Sequence, residues 1–409
     1  MNIDVDIPFA ILYPNQNPRN AMNASLGGKL IKENNSVIAA YGVNAGSMDC
    51  GNKNDAIYVY ENLNVCHYQV LQNGVKIGQG IKLPGSESGA IIPGEVVIIC
   101  NPIVKFSEAG WLIIATYVSG KYNNPTKKGI VYWMNNNSSS DIIFDKINGI
   151  VDLTSQTTYP AVRQQIFFFK FRWLILLDTG EIGYITIQNN IHNEYIKIDK
   201  IRQLESVVTL NNILYLAHVN RNNQRDILID RFQVNDIIDS FSLTSGSSIV
   251  PPATGSLNVQ PRITIYNDKL LCVFGGSTVF YSVASLSALD LPVVWTTPYR
   301  IVPSKGYSSS ILLTNDDLGV SMFMYDNSFM LDNAGQRASN ICYKLFYWNE
   351  MKWSRIEYVF SSNLTTKIDC CYTGNNWYIH VSDQLAFDAR GFKTNIKTVI
   401  IPFKLLPFS

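Results

Sequence analysis

The sequence predicts an all-β protein, a β-propeller of six (or seven) four-stranded blades. Three observations predict it. Apolar runs of five to eight residues, rich in Val, Ile, Tyr and Phe, are separated by Asn, Asp and Gly, with no sustained helical period. One hairpin pattern, a strand, a short polar turn and a second apolar strand often opened by Trp or Leu, recurs along the chain. The second strands begin near Val37, Trp111, Trp173, Ile213, Leu270, Leu318 and Trp377, on average about 57 residues apart, near the period of propeller blades.

In chain order the hairpins are KLIKENNSVIAAYG (Lys29–Gly42), IVKFSEAGWLIIATY (Ile103–Tyr117), QIFFFKFRWLILLD (Gln165–Asp178) and VVTLNNILYLAHV (Val207–Val219). ITIYNDKLLCVFG (Ile263–Gly275), ILLTNDDLGVSMFMY (Ile311–Tyr325) and IDCCYTGNNWYIHVS (Ile368–Ser382) complete them. A more polar strand pair follows most of them, beginning with AIYVYENLNVCHYQVL. Two inner apolar strands and two outer mixed strands make one blade. Inner strands covered on both faces read as unbroken apolar runs, so Leu112–Ala115, Leu174–Leu177, Leu214–Leu216, Leu270–Phe274 and Tyr378–Val381 are the expected core. The reading is one propeller domain over residues 1–409, with 1–28 as an N-terminal arm or blade-closing segment.

Composition sharpens this picture. The chain has 409 residues, 46% hydrophobic and only 16% charged, and its 33 Lys and Arg nearly cancel 32 Asp and Glu. That excludes a disordered chain and argues against nucleic acid as a partner, because such affinity comes from neutralised phosphates. Polarity comes instead from amides and hydroxyls: 40 residues are Asn, which caps turns and tolerates left-handed backbone. Seven scattered cysteines and four separated histidines form no CxxC pair and no zinc-ligand spacing. Buried free thiols, no metal, no cofactor and no disulfide are therefore expected. The first residues carry Asp4 and Asp6 where a signal peptide needs Lys or Arg, and no apolar run reaches the length of a membrane span. Cytoplasmic synthesis without membrane insertion is the corresponding expectation.

Two segments resemble the sialidase (neuraminidase) superfamily. NPIVKFSEAGWLIIATY (Asn101–Tyr117) is similar to its Asn-Pro, strand, Gly turn, strand ending in Thr-Tyr. GYSSSILLTNDDLGVSMFMYD (Gly306–Asp326) is similar to its late Tyr-Ser segment. Between them, Trp295 in LDLPVVWTTP stands at the Trp position of a degenerate Asp box. The resemblance implies a propeller that cleaves terminal sialic acid through an arginine cluster, a Tyr nucleophile beside a Glu and an Asp acid/base. Carried over, Tyr307 falls on the nucleophile, Asp326 near the late Glu, and Arg19 at the first arginine. No intact Asp box occurs, and CVFGGSTVFYSVASL lacks the arginine expected before Tyr307. Arg163, Arg262 and Arg300 sit outside any recognisable motif. The expectation is the architecture without the activity; if activity survives, it is glycoside hydrolysis of sialidase type.

A nearly uncharged, aromatic-rich and amide-rich surface suits packing against other protein chains. The leading functional expectation is a structural or attachment component of a larger assembly, a virion or phage tail protein. The alternative is a lectin-type propeller that binds cell-surface glycans, since aromatic rings and Asn suit sugar faces and hydroxyls.

Overall fold

The computed structural model describes thirty strands within residues 28–402, with the short segments 51, 83–86, 108–109, 142–148, 261, 268, 275, 286 and 295–298. No helix occurs among the described residues, so none is long and apolar enough to cross a membrane.

The strands fall into antiparallel sheets met in chain order. β1 (Gly28–Glu33) and β2 (Ser36–Tyr41) form a two-stranded hairpin. β3 (Gly46–Cys50), β4 (Asp55–Asn62), β5 (Val65–Gln72) and β6 (Val75–Lys82) form a four-stranded meander. So do β7 (Val97–Ser107), β8 (Gly110–Lys121), β9 (Asn124–Asn135) and β10 (Gly149–Asp152). The next is β11 (Gln164–Phe169), β12 (Arg172–Leu177), β13 (Glu181–Gln188) and β14 (Ile191–Lys200). β15 (Ser206–Leu210), β16 (Ile213–Val219) and β17 (Ile227–Val234) follow, and both β18 (Phe241–Leu243) and β19 (Ser248–Val250) pair with β17. β20 (Arg262–Tyr266), β21 (Lys269–Phe274), β22 (Val279–Ser285) and β23 (Tyr299–Val302) make another meander. The last strands are β24 (Tyr307–Asp316), β25 (Gly319–Leu331), β26 (Arg337–Tyr347), β27 (Lys352–Trp353), β28 (Glu357–Tyr372), β29 (Asn376–Asp388) and β30 (Gly391–Pro402). Serial four-stranded meanders of this kind are propeller blades, and the fold is a β-propeller.

The chain divides into two compact units. One comprises Met1–Thr179, Gly183–Lys197 and Asp369–Phe408; the other is mainly Ile198–Ile368. In the first, the opening strands of successive sheets lie side by side, β3 beside β7 and β7 beside β11. The second repeats this, with β15 beside β20 and β20 beside β24. In each unit a side chain near the opening strand ties it to the next sheet. Asp49 Oδ2 accepts from Phe106 N at 2.7 Å, and Ser206 Oγ accepts from Ile263 N at 3.2 Å. Both bonds span 57 residues, the period read from the hairpins.

Burial explains why the second strands read as unbroken apolar runs. Along β8, Trp111, Ile113, Ala115 and Tyr117 enter one core with Ile57, Val59, Tyr68 and Trp133. The intervening Leu112 and Ile114 enter another with Ile166, Trp173 and Ile175. Alternate side chains serve opposite faces, and both faces are covered. Leu112–Ala115, Leu174, Ile175, Leu176, Leu214–Leu216 and Leu270–Phe274 are all buried, as expected. The side chains of Leu177 and Tyr378–Val381 lie outside the described residues.

The first blade departs from the sequence reading. AIYVYENLNVCHYQVL is not the outer pair of the Lys29–Gly42 hairpin but the middle pair, β4 and β5, of its own sheet. That sheet opens with β3, GSMDC, five residues whose polar and small side chains carry no strand signal.

Sheet β7–β10 also shows how an outer edge strand of only four residues is held. The register sets Tyr117 of β8 opposite Gly129 of β9, and Gly129 opposite Asp152 of β10. The Tyr117 ring lies across the glycine, 2.5 Å from where a Cβ would stand, and its hydroxyl donates to Asp152 Oδ1. One strand further out, Tyr132 of β9 lies across Gly149 of β10, its register partner. The Asn148 side chain adds a bond from Met134 N at 2.7 Å. Tyrosine rings cover cross-strand glycines because only a missing Cβ leaves room for them.

Candidate functional site

The most exposed aromatic group of the described structure is built on β22 and β23, in the second unit. Along β22 the side chains alternate. Ala284 enters the core with Leu270, Cys272 and Phe274, and Phe280 packs against it, while Tyr281 and Val283 take the other face. The chain then returns through Trp295, which is buried in that same core and bridges Ala284. Thr296 fixes the return. Its N donates to Val283 O at 2.9 Å, its Oγ1 accepts from Val283 N at 3.0 Å, and its carbonyl accepts from Ser282 Oγ at 2.5 Å. A register shift between Val279 and Phe280 follows, and Tyr299 arrives opposite Tyr281.

The result is a cluster of three rings. Tyr281 and Tyr299 lie 5.6 Å apart with planes tilted by 32°. Tyr281 meets Trp353, on β27 of the next sheet, edge-on at 5.9 Å and 77°. Tyr299 is 55% exposed on the edge strand, while Tyr281 and Trp353 are half-buried behind it. Burial pushes the Tyr281 phenol above its ordinary range, and the neighbouring Tyr299 adds to the shift. The Tyr281 hydroxyl therefore works as a neutral donor and acceptor.

A second constellation is fully enclosed. His218 Nε2 and Asp230 Oδ2 lie 3.0 Å apart with almost no exposure, on the paired strands β16 and β17. A buried carboxylate needs such a partner, and the hydrogen-bonded pair keeps Asp230 satisfied within the packing.

The residues singled out from the sequence are distributed as follows. Tyr307 opens β24 and Asp326 lies in β25, and the register sets them directly opposite each other. Their side chains, like the whole of Arg19 and Arg163, lie outside the described residues. Trp295 occupies a buried blade-edge position. Arg262 is in the opening strand of its sheet and donates to Pro261 O at 3.2 Å; Arg300 is exposed in the closing strand of the same sheet. Arg262 shares the face of Val273 and Tyr281 whereas Arg300 pairs with Phe280 on the opposite face, so these two arginines do not converge as a carboxylate clamp. Cys66 and Cys272 are buried and form no disulfide. No group of three or more metal-ligating side chains occurs among the described residues. Sequence reasoning missed the ring cluster because its members come from separate strands, Trp353 lying 54 residues beyond Tyr299. It missed His218–Asp230 because neither residue belongs to a motif.

No family model matches the chain, and no curated protein matches it. Solved structures do match in fold. A polysaccharide lyase of family PL25, an ulvan lyase bound to a GlcA–Rha3S saccharide, superposes with a TM-score of 0.53 at 8% identity over 94% of this chain and 95% of its own. The BP39L lectin from Burkholderia pseudomallei gives a TM-score of 0.48 at 11% identity, over 87% of this chain and 96% of its own. A subtype N11 neuraminidase-like protein of A/flat-faced bat/Peru/033/2010 gives 0.40 at 10%, over 78% and 91%. At such identities the likeness is one of fold, and the chain is a β-propeller similar to proteins that carry this architecture.

Proposed function

We propose that this protein is a carbohydrate-binding β-propeller that acts by attachment rather than by catalysis. The observation that carries the reading is the exposed Tyr299 ring backed by Tyr281 and Trp353. Rings with an apolar body and a polar tip, held rigid by a strand, match a ligand with one apolar face and a rim of hydroxyls. The polysaccharide lyase named above acts on a saccharide, which favours the same ligand class. Glycan attachment is also the task such a site gives a component of a larger assembly, including a virion or phage tail.

Sialidase-type hydrolysis is the second reading, favoured by the Tyr307–Asp326 register. Among the described residues Arg262 and Arg300 do not form the arginine pair that would fix a substrate carboxylate, and without that charge the developing oxocarbenium state goes unsupported. A screen on immobilised glycans tests the leading reading: specific binding to at least one saccharide is expected, and none at all overturns it. A fluorogenic sialoside tests the second. No turnover above background is expected, and turnover lost in Tyr307→Phe would reverse the order of the two.

A further inference from the structure

We infer that the Tyr281–Tyr299–Trp353 cluster takes neutral pyranosides that present a C–H face, and discriminates against sialylated, uronate-containing and sulfated sugars. The inference rests on the carbohydrate-binding reading above and narrows its ligand. The face of an aromatic ring is the negative end of its quadrupole. It attracts the electropositive C–H face of a pyranose and repels a carboxylate or sulfate brought over it. Tyr299 supplies the open ring, 55% exposed. Tyr281 stands 5.6 Å behind it, and Trp353 turns its plane 77° from that of Tyr281, so ring surfaces border the site in two directions.

The polar complement is hydroxylic. The two phenol rings stand side by side, 5.6 Å apart, and Thr296 and Thr297 on the approach to Tyr299 are exposed. A pair of phenolic hydroxyls both donates and accepts, as vicinal sugar hydroxyls do. Arg300, the residue next to Tyr299, pairs with Phe280 rather than Tyr281, so strand alternation directs it to the opposite face of the sheet. The Arg300 cation is thus turned away from the rings, and Arg262, which shares their face through Val273, stands two strands from Tyr281 and donates to Pro261 O.

The test uses the whole chain on an array holding neutral cello-, N-acetylchito- and galacto-oligosaccharides beside sialylated, uronate and sulfated ones. Titration calorimetry with the strongest neutral binder then follows for wild type, Tyr299→Ala, Tyr299→Phe and Trp353→Phe. The expected result is preference for neutral sugars, about 10-fold weaker binding in Tyr299→Ala and a smaller loss in Tyr299→Phe, the scale of one lost ring contact. Tyr299 is a half-exposed edge residue, and unchanged circular dichroism of each variant confirms that the fold survives. Preference for acidic glycans would overturn this inference while leaving carbohydrate binding intact. Neutral binding unchanged by Tyr299→Ala would overturn the assignment of the site. Binding to no glycan would overturn the carbohydrate reading itself.

Discussion

Replacing Gly149 by Ala should destabilise the protein, although alanine is ordinarily the better strand residue. Removing a glycine from a strand interior is worth roughly 0.5–1 kcal/mol of stability. At position 149 that gain is opposed by a collision. The three atoms nearest an added Cβ all belong to the Tyr132 ring, and all are closer than a real Cβ tolerates. The ring has nowhere to retreat. Tyr132 is 2% exposed and packed in the core with Leu112, Ile114, Ile166 and Trp173. Overpacking at such a site costs about 1–3 kcal/mol, so a net loss of about 1–2 kcal/mol is expected. Urea unfolding followed by tryptophan fluorescence and circular dichroism measures it, as a lower midpoint at unchanged slope. The double variant isolates the cause. In a Tyr132→Val background the same substitution should become neutral or stabilising, a coupling of about 2 kcal/mol between the two positions. A Gly149→Ala protein as stable as wild type, or strictly additive effects, would refute the argument.

Other outcomes follow from the same structure. Trp133 is fully buried and its Nε1 donates to Pro84 O at 2.8 Å, so Trp133→Ala should cost about 3–5 kcal/mol in the same urea assay. Asp230→Ala leaves His218 enclosed without its hydrogen-bond partner and should cost about 1–3 kcal/mol; replacing both by leucine should cost clearly less, and equal losses would deny the pairing. Burial raises the Cys272 thiol well above its ordinary 9.0 and the Tyr68, Tyr215 and Tyr281 phenols above 10.0. Above those ordinary values the unfolded chain releases protons that the folded chain keeps, so stability is complete below about pH 9 and falls as pH rises. Cys272→Ala should reduce the steepness of that fall by up to about 1.4 kcal/mol per pH unit, and an unchanged slope would contradict the assignment.

The repeating core was legible because it depends on local chemistry. Trp111, Trp173 and Leu270 open second strands that are covered on both faces, and such strands must be apolar throughout. The bonds from Asp49 to Phe106 and from Ser206 to Ile263 recover the same period at atomic level. What failed was local weakness of signal. GSMDC forms β3 because β4 and β7 give it neighbours, not because its own residues favour a strand. The ring cluster was hidden for a different reason. Tyr299 meets Tyr281 only through a register shift and a return fixed by Thr296, and neither is written in spacing. The sialidase resemblance singled out Trp295, which is buried against β22, and not the exposed Tyr299 four residues on, which pairs with the same strand.

The Tyr117–Gly129–Asp152 line has a consequence for descent. One ring spans three strands, so the three positions cannot drift independently. A relative that places any side chain at position 129 meets both the Tyr117 ring and the Val151 carbonyl, so residue 117 and the closing strand must give way together and the reach to the carboxylate at 152 is lost. Among diverged sequences, Tyr, Gly and Asp should therefore be kept or lost together. This triplet, 12 and 23 residues apart, offers a search pattern for kin that whole-chain identity no longer reveals.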